Sequence, residues 1–114
     1  MATRAYIFIK ENDRYKGVYN HYDGYPEYLG ETLKKHYNTF EKANALISLG
    51  SLKYVKENLE DTIILPPNDP PIYFNNKEEI EKHLSKWAYY IYIFENNKWY
   101  YKNTQEKSDF KILK

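Results

Sequence analysis

Residues 87–94 read Trp-Ala-Tyr-Tyr-Ile-Tyr-Ile-Phe, and this run decides the fold. Aromatic and β-branched residues fill it almost without a break, which is the composition of a strand. A strand with one wet face alternates apolar and polar side chains. This one does not, so it predicts a central strand buried on both faces. Glu95-Asn96-Asn97-Lys98 follows as a hairpin turn, and residues 99–102 (Trp-Tyr-Tyr-Lys) return as the antiparallel partner. Residues 110–113 add an edge strand or dock against the sheet.

Working back from that strand, residues 77–85 predict a helix, with Asn76 as its cap and Ile80 and Leu84 as its apolar pair. Residues 62–71 hold Pro66-Pro67 and Pro70-Pro71 around Asn68-Asp69 and read as a rigid extended loop. The flanking pieces are too short to fold alone, so the loop is not an interdomain linker. Ser51 caps a short helix in which Leu52, Val55 and Leu59 fall at helical spacing. Residues 40–49 form another through Phe40, Ala43, Leu46 and Ile47, with Gly50 just past its end. A further helix spans residues 26–37, with Pro26 at its first position and Asn38-Thr39 closing it.

Residues 5–10 (Ala-Tyr-Ile-Phe-Ile-Lys) and 15–22 are strands joined by a polar turn, and Gly17 marks a bulge or a close backbone approach. Together these elements predict one α+β domain over residues 1–114. It is an antiparallel sheet of four to five strands with three to four short helices packed on one face.

The 114 residues include 14 tyrosines and no cysteine. Tyrosines must therefore fill part of the core, and others supply rigid contact area on the surface. Disulfides, thiolate nucleophiles and cysteine-type zinc sites are excluded. With 17 basic and 16 acidic residues the net charge is +1, which is not the footprint of a general nucleic-acid binder. Arg4 and Arg14 are the only arginines, so the forks that read phosphates and base edges are scarce. Lys98, Lys102, Lys107, Lys111 and Lys114 crowd the C-terminal region, read here as a solvated tail. Thr3-Arg4 leads straight into a strand, and no apolar run is long enough for a signal peptide or a membrane span. A cytoplasmic protein is expected.

The chemistry-bearing stretch is His21-Tyr22-Asp23-Gly24-Tyr25-Pro26, at a strand-to-helix junction. His21 and Asp23, two apart on a strand, share a face. The bland reading makes Asp23 a helix-start acceptor and His21 a polar strand residue. The functional one makes Arg4, His21, Tyr22, Asp23 and Tyr25 a binding site. His36 lies roughly 15 Å from the helix start, at 1.5 Å per residue, too far to complete a metal site. Glu27 and Glu31 read as solvated helix surface, with Glu31 available to Lys34 or Lys35. His83 reads as a surface residue. No phosphate loop, zinc-protease motif or nucleophile elbow occurs. No catalytic residue, metal or cofactor is expected, and the protein is read as a non-enzyme. A second candidate surface is aromatic: Tyr89, Tyr90, Tyr92, Trp99, Tyr100 and Tyr101, on two adjacent strands.

Five elements carry a resemblance over roughly the first half of the chain: Thr3-Arg4, His21 to Pro26, Gly30-Glu31-Thr32-Leu33, Lys35-His36-Tyr37 and Leu46 to Gly50. They resemble a widespread group of small bacteriophage and prophage proteins. Tyr22 stands where that group's pattern has Trp, and Ala5 where a small hydroxyl residue is common. The resemblance implies an accessory protein of a phage or mobile element in a low-GC bacterium. Its function would be to bind and inhibit a host protein, a defence effector such as CRISPR being the prominent class, through a Tyr-rich surface. Two other readings stand beside it: a module sequestering a small nucleotide or signalling ligand at the strand–helix junction, and a single-stranded RNA binder stacking bases on the aromatic strands.

Overall fold

The computed structural model describes residues 3–107 and 109–113. A hairpin of β1 (Ala5–Glu11) and β2 (Arg14–Asn20) opens the chain. A π-helical turn over Pro26–Gly30 runs directly into α1 (Glu31–His36), and α2 (Phe40–Ile47) follows. Then come β3 (Leu52–Tyr54), β4 (Ile63–Ile64), β5 (Ile72–Phe74), α3 (Lys77–Leu84), the hairpin of β6 (Tyr90–Glu95) with β7 (Lys98–Asn103), and β8 (Lys111–Ile112).

These strands make one mixed sheet in the order β4-β3-β2-β1-β6-β7-β8, with β5 also paired to β2. This corrects the expected antiparallel sheet of four to five strands: eight strands join it, and β1–β6 and β2–β3 are parallel. The physical reason lies in the connections. Beyond the β1–β2 hairpin the chain returns through α3 to the free edge of β1, entering from the end where β1 begins, and such a crossover makes a parallel pair.

The helices also divide between the two faces rather than sharing one. The helical turn, α1 and α2 cover Ile7, Ile9, Val18 and Tyr92 with Leu29, Leu33, Leu46 and Ile47. On the opposite face α3 brings Ile80 and Leu84 onto Phe8, Tyr15, Ile91 and Ile93. β6 supplies both layers, Tyr92 and Phe94 to one and Ile91 and Ile93 to the other, as its unbroken hydrophobicity predicts. The strand begins at Tyr90, however, and Trp87 lies outside it, 62% exposed.

No helix forms over residues 52–59. Leu52 and Val55 are buried as their spacing suggests, but Leu52 opens a strand and Val55 follows its end. The His21 and Tyr22 amides donate to the carbonyls of Leu52 and Lys53, both at 3.0 Å, while Leu52 pairs on its other side with Ile64. Strand pairing on both edges outweighs a weak local helical preference. Ser51, expected as a helix cap, is buried instead. Its hydroxyl donates to the Leu65 carbonyl (3.1 Å) and accepts from the Asp69 amide (2.9 Å), pinning the proline-rich segment. That segment includes a cis Pro66-Pro67 peptide and carries β4.

Asn76 does cap α3, accepting the Glu79 amide at 2.9 Å, and the Glu79 carboxylate accepts the Asn75 amide at 2.9 Å. Asn76→Ala is expected to cost about 1 kcal/mol, read as a lowered urea midpoint. An unchanged midpoint would mean that the first turn of α3 is held by its packing alone. Asn96 and Asn97 both have positive φ (56° and 61°), the signature of the type I′ turn that suits a two-residue hairpin. Gly17 forms no bulge, because the β1–β2 register is unbroken. It meets the close approach: a Cβ there would fall inside the Phe8 ring.

Candidate functional site

α3 covers only part of its sheet face. The remainder is an open aromatic surface, and alternation explains its membership. Side chains at Tyr6 and Phe8 of β1 and at Tyr15 and Tyr19 of β2 point to that face. Phe8 and Tyr15 lie under α3, whereas Tyr6 and Tyr19 lie beyond it, both half-buried. They are cross-strand partners, with rings 5.4 Å apart and tilted by 60°. Such pairs contribute about 0.5–1.5 kcal/mol beyond their buried area.

From this pair the rings continue without a gap. The Tyr19 hydroxyl and His21 Nδ1 share a hydrogen bond of 2.8 Å. His21 meets Tyr22 edge-on at 4.5 Å, and Tyr22 stacks on Tyr54 at 5.2 Å. Lys56 Nζ sits 4.7 Å over the Tyr54 ring. In the other direction Tyr6 stacks on Phe8, Phe8 meets Phe74 at 6.0 Å, and Phe74 stacks on His83 of α3. The result is a ribbon of eight rings running from α3 around the end of β2 to β3.

Burial raises the pKa of the Tyr6 phenol, with Tyr19 adding to it. Burial also raises Tyr19, and the Arg4 guanidinium acts against it. The hydrogen bond Tyr54 gives to the Asp23 carboxylate raises the Tyr54 phenol. All three therefore stay neutral hydrogen-bond donors at physiological pH. Arg4 is exposed and makes no ion pair among the described residues.

The five residues expected to form a site at the junction are only partly brought together. Arg4 and His21 share the open face. Tyr22 and Asp23 lie at its end through their contacts with Tyr54. Tyr25 turns toward Tyr28, with ring centres 6.5 Å apart. Asp23 adopts a positive φ of 54° and caps no helix, since the helical turn has Tyr25 at its N-cap and no side-chain cap. Pro26 does occupy the start of that turn. Five surface clefts of about 110 to 540 Å³ are walled by other residues than His21, Tyr22, Asp23 and Tyr25.

The expected aromatic set on β6 and β7 is scattered. Tyr92 and Trp99 are core residues: the Tyr92 hydroxyl donates to the Gly24 carbonyl (2.7 Å), and the Trp99 indole donates to the Tyr37 carbonyl (2.9 Å). Tyr90 and Tyr101 pack against the helix-side core, and Tyr100 faces Lys77 at 5.9 Å on the α3 side. Tyr89 alone of the six is exposed, at 47%.

Glu31 pairs with both Lys34 (3.4 Å) and Lys35 (4.0 Å), as a solvated helix face does. In the C-terminal region Lys102 and Lys111 pair with Glu81 and Glu106, so they are not a free basic patch, and Lys114 lies outside the described residues. Among the described residues no three His, Asp or Glu side chains gather at metal-binding spacing. No helix among them is long and apolar enough to cross a membrane.

Sequence reasoning missed Tyr6, Tyr19, Tyr54 and Trp87. For Tyr6 a signal existed: it sits two residues from Phe8 on its strand and shares that neighbour's face, and Tyr19 is its cross-strand partner in the β1–β2 hairpin. What the sequence did not disclose is that α3 stops short of them. No family model, curated protein or solved structure matches the chain.

Proposed function

We propose that the protein is a non-enzymatic binding protein that occupies another protein through the open aromatic half of its sheet. The observation that carries this reading is the unbroken ring ribbon Tyr6–Tyr19–His21–Tyr22–Tyr54, half-buried and left uncovered by α3. Its rings are already fixed by their neighbours, so a partner meets preorganised contact area and little side-chain entropy is lost on binding. Tyr hydroxyls, a histidine and Arg4 supply the polar points that aromatic-rich interfaces use. Near-neutral net charge suits a protein partner better than mimicry of a nucleic acid. In the setting that the sequence resemblance implies, that partner is a host factor, and defence effectors of the CRISPR type are the class to test first.

The experiment compares proteins retained from a low-GC bacterial lysate by the wild-type chain and by Tyr19→Ala and His21→Ala variants of unchanged circular dichroism. A stoichiometric protein retained by the wild type and lost by about tenfold or more in the variants is the expected result. Retention that the substitutions leave unchanged would remove the ribbon from the interface. Co-purifying RNA with no protein partner would favour the second reading, single-stranded RNA stacked on the same rings. Arg4 beside Tyr19 and Lys56 over Tyr54 are the observations on that side.

A further inference from the structure

Where the chain leaves α3 and enters β6, it forms a cleft of about 370 Å³ with Arg4, Ser85, Lys86, Trp87, Tyr89 and Gln105 in its wall. That volume lies within the range of small-molecule sites. Its walls are three chain segments tied together by main-chain hydrogen bonds. The Tyr89 amide donates to the Arg4 carbonyl (2.9 Å), and the Thr104 amide donates to the Tyr89 carbonyl (2.8 Å). The cleft is therefore held in shape without a ligand.

Its chemistry is one-sided. Arg4 and Lys86 are exposed, no carboxylate lines the cleft, and neither cation is in an ion pair among the described residues. Of the carboxylates nearest the cleft in sequence, Glu81 pairs with Lys102, and Glu106 has Lys111 at 3.9 Å. The negative end of α3 is closed as well, because the Leu84 carbonyl accepts the Trp87 amide (2.9 Å) and the Glu81 carbonyl accepts the Ser85 amide (3.1 Å). Beside the cations stand an indole 62% exposed and a phenol 47% exposed, neither stacked on another ring among the described residues. Two free cations beside two free π-faces complement a planar ring that carries a compact anion.

We propose that this cleft binds a mononucleotide, with the base against Trp87 and Tyr89 and the phosphate between Arg4 and Lys86. Gln105 offers both a donor and an acceptor to the base edge. The cleft adjoins the partner surface above and shares Arg4 with it, but Lys86, Trp87 and Gln105 take no part in the ring ribbon. One ligand chemistry has two sources here, a free nucleotide or the 5′-terminal nucleotide of a chain.

The sequence has two tryptophans, and Trp99 is 3% exposed, so fluorescence quenching by a ligand in water reports Trp87. Titration with AMP is expected to give saturable quenching, with adenosine and inorganic phosphate each weaker by about tenfold, because each keeps only one half of the recognition. Arg4→Gln and Lys86→Gln are each expected to weaken AMP by about fivefold or more. Trp87→Leu, read by calorimetry, is expected to do the same. All three side chains are exposed, so these variants keep the fold, and circular dichroism checks it. A 5′-phosphorylated oligoadenylate that binds more tightly than AMP assigns the chain-end source, and equal affinity assigns the free nucleotide. Either supports the site. Absence of saturation by about 10 mM AMP, or affinities unchanged by the three substitutions, overturns it.

Discussion

Phe8→Ala is expected to lower the stability of the fold by about 3–5 kcal/mol. Small domains have about 5–15 kcal/mol in total, so the variant sits near the unfolding threshold. Phe8 is fully buried on β1, inside the layer that α3 covers, and its ring fills the space above Gly17 on the neighbouring strand. Removing the ring leaves a cavity between two strands and a helix, where collapse is resisted from three sides. The converse change has the same origin. Gly17→Ala forces a methyl group into the ring and is expected to cost about 1–3 kcal/mol or more. The two positions are coupled, so adding Phe8→Leu to Gly17→Ala should cost less than the separate effects combined. Urea denaturation of the three variants and the double variant measures this. Additive losses would show that Gly17 is required for some reason other than the Phe8 ring.

The second large effect is alkaline unfolding. Burial pushes the Tyr92 phenol far above its ordinary value, while burial and the nearby Glu95 carboxylate push Tyr15 up to about 12. Tyr6, Tyr19, Tyr28 and Tyr37 are raised in the same direction by burial. For a phenol, a raised folded pKa means that the folded state keeps its proton after the unfolded chain has lost its own. The associated stability is complete below pH 10 and falls as pH rises from there toward the folded value. Tyr92 alone gives a slope of about 1.4 kcal/mol per pH unit above 10. Urea midpoints taken from pH 8 upward should be flat and then fall steeply, with the main loss between about 10 and 12. Tyr92→Phe loses the hydrogen bond to the Gly24 carbonyl, costing about 1–3 kcal/mol at neutral pH, yet its alkaline slope should be shallower. An unchanged slope in that variant would mean that Tyr92 does not titrate with unfolding.

How far the sequence reached depends on whether a feature is local or assembled. β6 was legible because both-face burial leaves an unbroken apolar run, and the Asn76 cap and the Asn96-Asn97 turn were legible because each is written in adjacent residues. The parallel β1–β6 pairing was not, since residues 5–9 contain nothing that names a partner at 90–94. The spacing of Leu52, Val55 and Leu59 fits a helix, and only the waiting backbone of His21, Tyr22 and Ile64 makes that segment a strand. The candidate site divides the same way. His21 and Asp23 were conspicuous through their own sequence, whereas Tyr6 and Tyr19 are left outside the helix's cover because α3 is eight residues long and ends at Leu84. A residue's face is a local property, but what covers that face is set elsewhere in the chain.

The register that seats Ala5 beside Tyr90 has a consequence during synthesis. One edge of β1 stays unpaired while the polypeptide between them is translated, an interval of roughly 4–17 s at 5–20 residues per second. Throughout it the nascent chain displays Ile7, Phe8 and Ile9 on an open strand edge, the kind of segment that other chains and chaperones capture. The late-arriving β6 is thus what ends that exposure, and truncation before residue 90 leaves a translation product with its central edge permanently bare.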